Sequence, residues 1–156
     1  MDYKENPKSY YPPMHTAEHI LNGTMNKMFG RGRAFSAHIE KKKSKCDYHF
    51  DRNLTPEEIK IIEDKVNSII VADMPVTEEF INRKEAQREF NLDRLPDEAG
   101  ETLRVIRIGN YDSCLCSGPH IESTKAIGSM KIISTSFENG VLRVRFKISE
   151  ANSVKE

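Results

Sequence analysis

The sequence predicts a single α+β domain in which an antiparallel sheet packs against helices. Three observations lead there. Residues 14–29, and those from Thr55 to about Asp73, carry apolar side chains at helical spacing. Residues 44–51 alternate as a half-buried strand does, and 102–108 are rich in apolar strand formers. Asn139-Gly140 lies between two strand-like runs, which is the strongest short-range hairpin signal. A chain of 156 residues with no internal repeat and no low-complexity linker suits one domain. Its expected division is an extended lead-in over 1–13, the domain over 14–150 and a polar tail over 151–156.

Composition narrows the classes. Hydrophobic residues make up 37%, enough to bury a core, which argues against wholesale disorder. No apolar run approaches the roughly 20 residues of a membrane-spanning helix, and the opening MDYKENPKSYYPP has no signal-peptide apolar region. Three cysteines, an odd number without secretory features, point to a reducing compartment such as the cytoplasm, with thiols available for a metal. A formal net charge of zero argues against tight, nonspecific nucleic-acid binding, but leaves room for a local basic patch. Nothing in the sequence speaks to oligomeric state.

The elements follow in order. Pro12 and Pro13 suit a helix start just after them, and Ala17, Ile20, Leu21, Met25 and Met28 would form its buried stripe. Gly30 and Gly32 break it. Strands are expected at 34–40 and 44–51, the second with Cys46, Tyr48 and Phe50 on one face and Asp47, His49 and Asp51 on the other. Lys41-Lys42-Lys43 fits the turn between them, either as a solvated tip or as an RNA-backbone contact. Thr55-Pro56-Glu57-Glu58 is a helix-start signal, and the helix should stop near Asp73, ahead of Pro75. A strand at 76–81, a polar helix at 83–90, a loop from Asn91 to Gly100, strands at 102–108 and 111–115, and a hairpin over 128–149 complete the chain.

Two residue pairs carry the chemistry. His15 and His19 are four apart in the first helix, so they lie on one face, one above the other. Cys116 and His120 are also four apart, with Gly118-Pro119 forcing a turn between them. One thiolate and three imidazoles are an ordinary ligand set for tetrahedral zinc. Cys114 would share the face of Cys116 in a regular strand, but four ligands already complete the set. His38 and His49 are read as surface residues. Glu18 is either a solvated helix residue or, beside a metal, a group that bonds a ligand or polarises a water. His15-x-x-Glu18-His19 also fits the inverted zincin pattern of a metallopeptidase, which would need a downstream Glu as third ligand and would leave Cys116 and His120 unexplained.

The paired motifs His15-Thr16-Ala17-Glu18-His19 and Cys116-Ser117-Gly118-Pro119-His120 resemble the second additional domain shared by threonyl- and alanyl-tRNA synthetases and by free-standing alanyl-tRNA editing proteins. Asp47-Tyr48-His49-Phe50-Asp51, Leu54-Thr55-Pro56-Glu57-Glu58, Ile62-Glu63 and Arg83-Lys84-Glu85-Ala86 follow the family's order. Gly118-Pro119-His120-Ile121-Glu122-Ser123-Thr124 is similar to the threonyl branch, and Phe137-Glu138-Asn139-Gly140-Val141-Leu142-Arg143-Val144 to the alanyl branch. The likeness covers most of residues 14–148, although Pro119 departs from the C-x-G-T-H usual in the alanyl branch. The resemblance implies an α+β editing fold that hydrolyses a wrongly attached amino acid (Ser, or Ala or Gly) from misacylated tRNA. With no room for an activation domain, editing in trans is expected. It implies His15, His19, Cys116 and His120 as catalytic positions and as zinc ligands, zinc being held in the alanyl branch and dispensable in the threonyl one. Arg31, Arg33, Lys41, Lys42, Lys43 and Lys45 form the best local basic cluster for the tRNA. A non-catalytic alternative remains, in which zinc only staples an RNA- or protein-binding module.

Overall fold

Pro12 and Pro13 open the first helix rather than precede it. A computed structural model describes residues 11–90, 92 and 100–149, and in it α1 spans Pro12–Phe29. Proline suits the first helical positions because its missing N–H has no partner there anyway. The expected lead-in over 1–13 is therefore two residues too long, and its first ten residues lie outside the described residues, as do most of the expected 91–100 loop and the expected tail. α1 ends at Gly30, whose left-handed φ of 67° lets its N–H close onto the Asn26 carbonyl at 2.8 Å.

The remaining elements are β1 (Ser36–His38), β2 (Ser44–His49), α2 (Pro56–Val71), β3 (Val76–Asn82), α3 (Arg83–Glu89), β4 (Thr102–Ile108), β5 (Asp112–Leu115), a 3-10 turn (Thr124–Ile127), β6 (Ser129–Glu138) and β7 (Val141–Ser149). The fold is α+β, as expected, but its strands form two antiparallel sheets rather than one. A four-stranded sheet runs β1-β2-β7-β6 and a three-stranded sheet runs β3-β4-β5. The β6–β7 hairpin turns at Asn139 and Gly140 with φ of 52° and 79°, the pair of positive angles that a two-residue hairpin needs. The 3-10 turn and the irregularity between Ile132 and Ser134 carry no clear sequence signal.

Helix α1 is the middle layer. Every residue from Met14 to Met25 is buried, polar ones included. A one-sided stripe was expected; instead α1 touches α2, the 3-10 turn, β5 and β7. Its Ile20, Leu21 and Met25 join Tyr48, Ile62, Val66, Leu142, Val144 and Phe146 in the main core. Around β2 the alternation holds in part: Cys46, Tyr48 and Phe50 are buried and His49 and Asp51 exposed. Asp47, expected on the exposed face, is buried because its carboxylate accepts two hydrogen bonds from Arg143. A smaller core of Ala86, Leu103, Val105 and Leu115 joins α3 to β4 and β5. No helix among the described residues is long and apolar enough to cross a membrane.

Helix α2 is fixed at its start by a reciprocal capping box. The Thr55 hydroxyl accepts from the Glu58 N–H at 3.1 Å, and the Glu58 carboxylate accepts from the Thr55 N–H at 2.9 Å. The same carboxylate takes both Arg52 donors at 2.8 Å. These Arg52 hydrogen bonds, with the Thr55 N–H second, hold the Glu58 carboxyl down to about 2. A depressed carboxyl stabilises the fold above its unfolded value of about 4.3 and loses that contribution as pH falls through its folded value. The stability advantage of wild type over Glu58→Gln should therefore be full at pH 6 and shrink steadily between about pH 4 and pH 2. Denaturant melts across that range check it, and a pH-independent difference contradicts it.

Candidate metal centre

Helix α1 and the segment after it are tied to the start of β5. The Thr24 hydroxyl lies 2.6 Å from the Tyr111 hydroxyl, and Arg33 grips Asp112 through two donors at 2.7 and 3.1 Å. β5 then ends at Leu115, and Cys116 follows in a loop that Arg104 of β4 holds from outside. The Arg104 guanidinium donates to the Cys116 carbonyl at 3.0 Å and to the Gly118 carbonyl at 2.8 Å. Five guanidinium donors in a fixed fork suit it to gathering carbonyls in this way.

That clamp brings the two sequence pairs together. His15, His19, Cys116 and His120 each offer a ligand atom, and these atoms lie within 4.8 Å of one another. Cys116 Sγ is 3.4 Å from His15 Nε2 and 3.6 Å from His120 Nε2. The His15 and His120 rings stack at 4.2 Å, and His19 meets both edge-on at 4.9 and 4.5 Å. Cys114 stands outside this group, its thiol turned to the Leu115 carbonyl at 3.3 Å.

The hydrogen bonds around the quartet aim it inward. His15 Nδ1 sits 3.1 Å from the Pro119 carbonyl, which can only accept, so the proton is on Nδ1 and the Nε2 lone pair faces Cys116. His120 Nδ1 is 2.8 Å from the Thr16 hydroxyl, which turns its Nε2 the same way. The Gly118 N–H donates to Cys116 Sγ at 3.4 Å. Burial, then the neighbouring His120 and His15, pushes His19 well below the ordinary histidine range. Burial and His15 push His120 down to about 2, and burial pushes the Cys116 thiol up to about 12. Each shift disfavours charge, so His19 and His120 rest as neutral imidazoles and Cys116 as a protonated thiol.

These four residues could hold a metal ion, and their donor types are those of zinc sites. A tetrahedral ion with bonds of about 2.3 Å to sulfur and about 2.0–2.1 Å to nitrogen separates those donors by about 3.6 Å, which matches both sulfur–nitrogen distances here. His19 Nδ1 is buried without a hydrogen-bond partner and lies 4.0 Å from Asp112 Oδ2. No downstream glutamate joins the group among the described residues, so both histidines are accounted for without the peptidase pattern.

The other candidates are placed differently. Glu18 is buried rather than solvated, with its Oε1 3.7 Å from His15 Nε2 and its Oε2 accepting from Asn22 at 3.1 Å. His38 and His49 are exposed, His38 beside Glu40 and His49 stacked on Phe35 at 4.0 Å. Lys41, Lys42 and Lys43 are exposed and Lys45 is partly so, whereas Arg31 pairs with Asp51 and Arg33 turns inward to Asp112. The sequence reading missed Thr16, Arg104 and Asp112. Only Arg104 left a trace, as a charge inside the apolar run Leu103–Ile108.

Gly118 is required by the closeness of this fit. A methyl group built on it would meet His15 Cε1 at 2.5 Å and Nδ1 at 2.8 Å. Gly118→Ala should therefore displace the His15 ring and destabilise the fold by about 1–3 kcal/mol, the usual cost of overpacking. Denaturant unfolding checks this, and a change under about 0.5 kcal/mol, typical of surface substitutions, contradicts it.

Comparison with known proteins gives a consistent picture. Residues 103–153 match the threonyl and alanyl tRNA synthetase second additional domain. The chain is 34% identical over 142 residues to an alanine–tRNA ligase of Methanothrix thermoacetophila, covering 88% of this chain and 15% of that protein. It is 31% identical over 142 residues to one of Fervidobacterium nodosum, covering 90% and 16%. With one of Methanopyrus kandleri it shares 30% over 141 residues, covering 88% and 15%. The chain thus spans about a sixth of the length of the curated relatives it matches.

Proposed function

Residues 103–153 belong to the threonyl and alanyl tRNA synthetase second additional domain, and from that premise we propose that this chain hydrolyses misacylated tRNA. The observation that carries the reading is the convergence of His15, His19, Cys116 and His120 within 4.8 Å, in a chain aligned along 88–90% of its length with alanine–tRNA ligases. The bond broken is the ester between an amino acid, Ser or else Ala or Gly, and the terminal ribose of the tRNA. Water adds to the ester carbonyl and the ribose oxygen leaves. Such esters are activated, so positioning supplies much of the rate. The domain proper is 14–150.

The four residues would hold zinc, which when bound polarises a carbonyl or lowers the pKa of a water toward about 7. The chain's own residues do the rest. Arg104 fixes the loop that presents Cys116 and His120. Pro119 and Thr16 fix the histidine rings. Burial keeps the imidazoles neutral and able to donate lone pairs. The basic hairpin of Lys41, Lys42, Lys43 and Lys45, with Arg31, serves the phosphate backbone of the tRNA, whereas Arg33 is turned in to Asp112.

One observation favours a second reading. Four protein donors fill a tetrahedral shell, the pattern of structural zinc. Zinc would then staple a module that binds RNA or protein without cleaving it. Deacylation of Ser-tRNA(Ala), Gly-tRNA(Ala) and Ser-tRNA(Thr) by the chain alone, with and without chelator, separates the two. The hydrolase reading expects at least one ester cleaved at least about tenfold faster than in buffer, a barrier lowered by about 1.4 kcal/mol, with loss of that rate on chelation or in Cys116→Ala. No acceleration on any of the three, together with unfolding on chelation, supports the staple and overturns the hydrolase.

A further inference from the structure

Beside the quartet lies a small cavity of about 10 Å³, whose walls include His15, His19 and Cys116 and also Glu18, Asn22 and Arg33. That is space for one water-sized group. We infer that this cavity seats the α-ammonium group of the aminoacyl ester and that the Glu18 carboxylate is its anchor. The inference rests on the hydrolase reading above and adds the chemical class of substrate that the site accepts.

The carboxylate is held, not merely present. Glu18 is 4% exposed, and its Oε2 accepts from Asn22 Nδ2 at 3.1 Å. Asn22 is itself fixed, because its Oδ1 accepts from the Ala34 N–H at 3.0 Å and from the Tyr48 hydroxyl at 2.8 Å. Those two donors decide which end of the amide faces Glu18. Arg33, the cation in the same wall, makes its two hydrogen bonds to Asp112 and also attracts Glu18. The second Glu18 oxygen lies 3.7 Å from His15 Nε2, so the carboxylate stands at the edge of the quartet without belonging to it.

An ammonium group is the size of a water molecule and donates three hydrogen bonds. A hydrogen bond between two ionised groups is roughly twice as strong as a neutral one, and a buried site screens it little. The α-ammonium sits two bonds from the ester carbonyl carbon in every aminoacyl-tRNA. Glu18 would therefore select for a free amine whatever the side chain, and so against peptidyl-tRNA or N-blocked aminoacyl-tRNA, whose nitrogen is a neutral amide. Glu18 is a substrate-binding residue in this account.

The test uses two uncleavable probes, 3′-seryl-amido-3′-deoxyadenosine and its counterpart with a hydroxyl in place of the α-ammonium. Calorimetry measures both on the full chain as purified and on Glu18→Gln, with zinc content determined for each protein. Wild type is expected to prefer the ammonium probe by at least about tenfold, and Glu18→Gln to bind the two alike. A Glu18 that only orients His15 would weaken both probes equally in the variant and leave the preference intact, which overturns the inference. A wild type without preference overturns it too, and needs no variant, so a Glu18→Gln protein that misfolds or loses zinc does not block the decision. Binding of neither probe to wild type sinks the hydrolase reading and the inference together.

Discussion

The close seating of the His15 ring against the Gly118-Pro119 turn is the contact on which the rest of this structure depends. Helix α1 and the loop after β5 are about a hundred residues apart in sequence, yet the ring and the turn meet with no room for a methyl group between them. The contact does two things at once. It brings Cys116 Sγ to 3.4 Å from His15 Nε2, and through the Pro119 carbonyl it fixes which nitrogen of His15 carries the proton. A residue with a Cβ at 118 would move the ring and change both.

Around this contact the chain arranges its unusual buried polarity. His15, Thr16, Glu18, His19, Asn22 and Thr24 are all buried on one helix. A helix so polar inside is stable only if its side chains are partnered. Here Thr24 meets Tyr111, Asn22 bridges Glu18, Tyr48 and the Ala34 backbone, and Thr16 serves His120. Asp112, pressed against Gly23, takes Arg33. Two sheets enclose α1 because it has chemistry to bury on one side and apolar core on the other.

Much of this was legible in the sequence, and the reasons are specific. The i, i+4 histidines and the Cys116–His120 turn could be read because each pair is local, and local spacing fixes relative direction. The capping box at Thr55 and the Asn139-Gly140 turn were legible for the same reason. What the sequence hid was long-range. A helix sandwiched between two sheets looks amphipathic until its second partner is known, and Arg33 reads as a free cation until Asp112, 79 residues on, is placed beside it. The division of the strands into two sheets has no local signal. Arg104 looked like strand polarity, and only the fold shows that it gathers the carbonyls of the ligand loop.

Burial ties the quartet's structure to its chemistry. It drives His19 and His120 down and Cys116 up, so these three groups favour their uncharged forms. Zinc would then be taken up with loss of the thiol proton. X-ray absorption on the chain loaded with one equivalent of zinc tests this centre most directly. One sulfur at about 2.3 Å and three nitrogens at about 2.0–2.1 Å is the expected shell. A shell without sulfur, or no uptake of zinc at all, would contradict it.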